Sequence, residues 1–152
     1  MSWRIAESLK TLRTQINALY PNRDKSSDGS IGDAKHSSRK SDHNPNAAGV
    51  VTAIDIDADL SDTVNVGVIV NALRASNDPR IKYIIWKGQI TVPGDLSRLK
   101  KYTGPNGHFH HAHISVSSNK ALYDDKREWR LNGTVADVPN VPTPVRDLKQ
   151  GD

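Results

Sequence analysis

The residues best suited to chemistry crowd into one stretch, His108-Phe109-His110-His111-Ala112-His113-Ile114-Ser115-Val116. Four of the chain's six histidines fall between positions 108 and 113. Imidazole titrates near neutral pH, ligates metals and carries protons. Histidine packed this densely points to a metal or catalytic site rather than to core or solvated surface. The chain has no cysteine, so a zinc site must combine His with Asp or Glu. Two further segments offer such groups. One is Asp55 and Asp57 within Val50-Val51-Thr52-Ala53-Ile54-Asp55-Ile56-Asp57. The other is His43 within Ser41-Asp42-His43-Asn44-Pro45.

The elements that must position these groups are legible from periodicity. Trp3, Ile5, Leu9, Leu12, Ile16 and Leu19 recur at near-helical spacing, which predicts an amphipathic helix over 3–19 ended by Pro21. Residues 22–42 are polar and read as a long loop, expected to form a wall of the site because His43 follows it. The β-rich run 50–57 predicts a strand, with Asp55 and Asp57 on one face and Val50, Thr52, Ile54 and Ile56 on the other. A second helix is expected over 64–76 and a second strand over 81–86. Lys87-Gly88 then turns the chain towards a partner strand at 89–92. Residues 95–102 read as a short helix or helical turn, and 103–107 as a loop.

As a strand, 111–116 puts His111, His113 and Ser115 on one face and Ala112, Ile114 and Val116 on the other. Side by side, the two amphipathic strands would bring Asp55 and His113 together. The expected fold class is α+β, a sheet with helices packed on one face and a zinc site on the other. Residues 1–131 are assigned to a catalytic domain. Residues 132–152, which open with Gly133 and several prolines, are assigned to a linker and tail.

A catalytic zinc site commonly takes three protein ligands and leaves one position for water. His113 and Asp55 supply two. His43, on a loop entering the Asp strand, is the third candidate, with His36 its competitor. Arg39 is a candidate for holding a substrate carboxylate or a developing oxyanion, since guanidinium grips such groups bidentately. A wall position in the cleft and a place in the core are both open to Trp86.

These motifs, Ser41-Asp42-His43, then Ala53-Ile54-Asp55, then His111-Ala112-His113-Ile114-Ser115-Val116, occur in the order seen in LAS-type zinc peptidases, and the chain resembles that group over roughly residues 30–117. The group includes lysostaphin-type enzymes, D-Ala-D-Ala peptidases and the hedgehog signalling domain, and the peptidase M15 branch is the most similar. The resemblance implies a central antiparallel sheet and Zn2+ held by His43, Asp55 and His113. It places His111 beside the catalytic water and His108 as a further active-site histidine. His110 falls where other members carry a Glu general base. The interval between His43 and Asp55 is longer than in many members, which keeps Asp57 as the alternative ligand. For acid–base catalysis His111 is the first choice and His108 the second, with orientation of a ligand as the other role open to His111.

The implied activity is hydrolysis of peptide bonds in bacterial peptidoglycan, as in a phage or prophage endolysin or cell-wall hydrolase. The N-terminus has no apolar signal-peptide core. The expectation is synthesis in the cytoplasm and holin-type release to the wall. Residues 144–152 resemble the opening of a peptidoglycan-binding repeat. The protein is expected to act as a monomer, with no nucleic-acid partner and no membrane insertion, since no apolar run approaches the ~20 residues of a span. Two other classes compete. Asp42-His43-Asn44-Pro45 resembles the start of an HNH nuclease motif, and the net charge of +4 would suit DNA. That motif needs another His soon afterwards, and none lies between His43 and His108. A non-catalytic zinc-binding interaction domain is the third reading.

Overall fold

The computed structural model describes residues 3–29, 42–104 and 107–131. Its elements, in chain order, are β1 (Arg4–Ile5), α1 (Glu7–Leu19), β2 (Val50–Val51), β3 (Ala53–Asp57), α2 (Gly67–Ser76), β4 (Ile81–Trp86), β5 (Gln89–Val92), β6 (Asp95–Lys101), β7 (His111–Val116) and α3 (Lys120–Tyr123). Five strands form one sheet in the order β3-β7-β4-β5-β6, every pair antiparallel. The fold is mixed α and β.

The first helix starts later than its hydrophobic spacing predicts. Ala6 is extended, with φ −52° and ψ 140°, and Arg4–Ile5 pair with Val50–Val51 as a short parallel ladder. The Ala6 N–H donates to the Val51 carbonyl at 3.0 Å. Trp3 and Ile5 fit the helical period by position, but backbone pairing takes their segment. Leu9, Leu12 and Ile16 do bury themselves as expected.

The second helix also starts late, at Gly67. Leu60 and Ser61 donate to the Val64 carbonyl, and the Asn65 side chain accepts from the Gly67 N–H at 2.8 Å. Asn77, left-handed at φ 50°, ends it.

The largest correction falls at 95–102, read from sequence as a short helix or helical turn. It is the strand β6, with Ile90 opposite Lys100 and Thr91 opposite Leu99. Leu96 and Leu99 sit three apart and so imitate a helix. The turn at Gly94, with φ 78°, instead sends the chain back along β5. Between β4 and β5, Lys87 and Gly88 both take positive φ, the backbone that a tight two-residue hairpin requires.

Ile54, Ile56, Ile84, Ala112, Ile114 and Val116 of the sheet join Leu9, Leu12, Ile16, Ile69 and Leu73 of the helices in one hydrophobic cluster. Trp86 is half-buried against it, the core position rather than a cleft wall. The period-two alternation in β7 therefore leaves His111, His113 and Ser115 on the pleat face opposite that cluster.

Candidate metal centre

The site is built on the β3–β7 ladder. In register, Asp55 lies opposite His113 and Asp57 opposite His111. On its other side, β3 is bridged by Gly29, which exchanges backbone hydrogen bonds with Asp55 at 2.7 and 3.2 Å. Asp55 is thus fixed from both flanks. A Cβ on Gly29 would sit 3.6 Å from Asp55 Oδ2, so the expected wall meets the site at Gly29, while its residues 30–41 lie outside the described residues. His43 enters from the turn before β2, and the adjacent Asp42 carbonyl accepts from the Thr52 N–H at 3.2 Å. Asp42 also pairs with Lys82 of β4 at 3.0 Å, tying the His43 loop across the sheet.

Three side-chain atoms converge. His43 Nε2 lies 3.1 Å from Asp55 Oδ1 and 3.1 Å from His113 Nδ1, and His113 Nδ1 lies 3.3 Å from Asp55 Oδ1. Ligand atoms about 2.0–2.1 Å from a tetrahedral zinc are spaced by roughly 3.3 Å, so this triad has metal-ligand spacing without rearrangement. The donor set, two imidazole nitrogens and one carboxylate oxygen, suits zinc and other divalent ions.

The electrostatics agree with that use. Burial by itself pushes the Asp55 carboxyl up. Hydrogen bonds from His113 and His43, together with their charge, outweigh it and hold the group well below the usual carboxylate range. Burial lowers the His113 pKa, and Asp55 offsets this only in part. A carboxylate beside neutral imidazole is the protonation state that metal ligation needs.

His113 is further fixed from behind. Its Nε2 shares a 2.8 Å hydrogen bond with Ser115 Oγ, and Ser115 is fully buried. The Tyr83 ring stacks on the imidazole at 5.3 Å, with planes 9° apart. The Tyr83 side chain also bonds Ser115, while burial raises its own pKa. Such outer partners set tautomer and ring orientation in metal sites, leaving the other ring nitrogen to ligate.

Around this triad stand two more histidines of the cluster. His111 Nε2 is 3.4 Å from Asp55 Oδ2. The His108 ring packs edge-on against His111 at 5.1 Å and against His113 at 5.5 Å. His110 is exposed, and its carbonyl accepts from the Ala58 N–H at 2.9 Å. Asp57, the alternative ligand, is engaged elsewhere. Its Oδ2 accepts from the Ser27 N–H at 2.8 Å and its Oδ1 from the Asp59 N–H at 2.9 Å. Its carboxylate groups with Asp24 and Asp59, not with the histidines. Arg39 and His36 lie outside the described residues.

Two contributors are not singled out by the sequence. Ser115 shares the histidine face of the strand, and its spacing of two residues from His113 is the signal that could have found it. Tyr83 carried no signal, because its approach to His113 depends on β4 pairing with β7.

No family model, curated protein or solved structure matches the chain. Among the described residues, no helix is long and apolar enough to cross a membrane.

Proposed function

We propose that the protein is a zinc metallopeptidase that hydrolyses peptide bonds in the stem peptides or cross-links of bacterial peptidoglycan, as an endolysin or wall hydrolase. His43, Asp55 and His113 hold the ion, on the face of the sheet opposite the helices. The observation that carries this reading is the 3.1–3.3 Å convergence of His43 Nε2, Asp55 Oδ1 and His113 Nδ1, with two further histidines beside it.

When bound, zinc polarises the scissile carbonyl and lowers the pKa of an attacking water towards neutrality. The chain's own residues move the protons. His111, beside Asp55, takes a proton from the attacking water as its oxygen bonds to the carbonyl carbon. The same imidazolium then gives that proton to the amine nitrogen as the C–N bond breaks. Asp55 Oδ2, 3.4 Å from His111 Nε2, holds the ring in position for both transfers. His108, packed against His111, is the second proton carrier. Ser115 and Tyr83 keep the His113 ring in place throughout.

The test is a pair of assays on metal-loaded and chelated protein. One follows release of new amino groups from purified peptidoglycan, the other nicking of plasmid DNA. Zinc-dependent amino release without nicking is expected. Nicking without wall cleavage would replace the peptidase with a nuclease. Inertness in both assays, with zinc still bound, would make the domain a binding module.

A further inference from the structure

Asp55 has two oxygens, and the triad of His43, Asp55 and His113 uses one. The other, Oδ2, faces His111 Nε2 at 3.4 Å. His108 completes a second group with these two, in which the candidate ligand atoms of Asp55, His108 and His111 all lie within 4.8 Å of one another. We propose that Asp55, His108 and His111 form a second, weaker divalent-metal site that shares the Asp55 carboxylate with the first.

Three features support it. The donor chemistry is again two imidazoles and a carboxylate oxygen, a set that borderline divalent ions accept. A carboxylate that gives one oxygen to each of two ions matches two-metal sites, in which the ions stand about 3.5–4 Å apart. The His108 imidazole is also held in place at a cost. His108 is only 7% exposed and its backbone is left-handed at φ 59°, an uncommon state for a residue with a side chain. Its carbonyl accepts from the Lys87 N–H at 3.0 Å, and Tyr102 packs edge-on against its ring at 5.4 Å. The loop is fastened so that the ring meets His111.

The second site binds less tightly than the first because a second dication enters beside the first with only one carboxylate between them, and like charges repel. This inference deepens the proposed function, because His111 and His108 are its proton carriers. An ion on their nitrogens blocks proton transfer, which makes excess zinc an inhibitor of the zinc-loaded enzyme.

Metal-free protein titrated calorimetrically with Zn2+ tests the proposal, alongside His111→Gln and His108→Gln, with circular dichroism confirming that each variant is folded. The wild type is expected to bind two equivalents, the second about tenfold or more weaker. Each variant is expected to keep the tight equivalent and lose the weak one. A wild type that stops at one equivalent up to about 1 mM free zinc overturns the second site. So does a weak equivalent that survives in both variants, which would assign it to other surface groups. The two readings fail separately. One equivalent, lost on His43→Gln, leaves the peptidase reading intact without the second site. Two equivalents in a protein that releases no amino groups keep the second site and overturn the peptidase.

Discussion

Two polar clusters beside the sheet are built differently. One surrounds Arg80, just before β4, which is 1% exposed. Its Nε and Nη2 donate to Asp78 at 3.0 and 2.7 Å. Its Nη1 donates to the carbonyls of Asp125 and Arg127 at 3.0 and 2.6 Å. Trp129 covers the guanidinium at 3.7 Å, and that indole donates in turn to the Ser8 carbonyl at 2.9 Å. Donors meet acceptors, positive meets negative, and the result ties residues 125–129 to α1 and the sheet. The histidine cluster gathers groups that can also act as electron-pair donors to a metal. Two imidazole nitrogens and a carboxylate oxygen face one another at 3.1–3.3 Å. Polar groups arranged to satisfy one another make structure. Groups that can each turn a lone pair towards a common point also have the spacing of metal ligands.

The contrast gives its sharpest prediction in paired substitutions. His113→Ala and Asp55→Ala should each abolish tight zinc binding and lower amino release from peptidoglycan by about 10³-fold or more, the several kcal/mol that a Lewis acid supplies. Dialysis against zinc followed by elemental analysis checks the first effect, and the wall assay the second. Arg80→Met should do the reverse. Leaving Asp78 without its partner should cost about 3–5 kcal/mol of stability in urea unfolding, while the molecules that remain folded keep their zinc. Zinc lost from folded Arg80→Met would erase the distinction between the clusters.

A smaller effect is expected one step out from the ion. Ser115→Ala removes the hydrogen bond that orients His113 and should weaken zinc binding by about 10–100-fold. An unchanged affinity in a chelator competition would show that stacking on Tyr83 suffices. Asp57→Ala should leave zinc stoichiometry intact and cost only stability, about 1–3 kcal/mol, by stranding the Ser27 and Asp59 N–H groups. Loss of zinc from Asp57→Ala alone would reassign the ligand.

The clusters should also separate along the pH axis in metal-free protein. Burial holds His113 below its ordinary value of 6.5, so on acidification the unfolded chain takes up that proton first. Its contribution is complete above about 6.5 and is lost as pH falls from there through the depressed value in the fold. Asp78 is pushed up by burial but held below its ordinary 3.8 by hydrogen bonds from Arg80. Its contribution, with that of Asp55, persists down to about 3.8 and is lost below it. Thermal unfolding between pH 7 and 3 should therefore show a mildly acidic decline that His113→Gln flattens. Arg80→Met should leave that decline in place.

The legible parts of the molecule were those set by local alternation. Ile54, Ile56, Ala112 and Ile114 alternate with acids and imidazoles, so both site strands and the pairing of Asp55 with His113 could be read before the fold was known. What depended on distant partners was harder to read. Leu96 and Leu99 are spaced for a helix, and only pairing with β5 makes their segment a strand. Trp3 and Ile5 joined the helical pattern because nothing local announces a ladder with Val50–Val51. Asp55 and Asp57 share a face and a residue type. Loop residues Ser27 and Asp59 separate them, by occupying the oxygens of Asp57. The burial of Arg80 carried no signal, because its carbonyl acceptors come from a segment some 45 residues away.

His43, Asp55 and His113 are proposed to form together one high-affinity zinc site. Equilibrium dialysis of metal-free wild type and His113→Ala against limiting zinc tests it most directly. The expected result is one tightly held equivalent in the wild type and none in the variant, with both proteins folded. Equal zinc content in the two, or none in either, would contradict it.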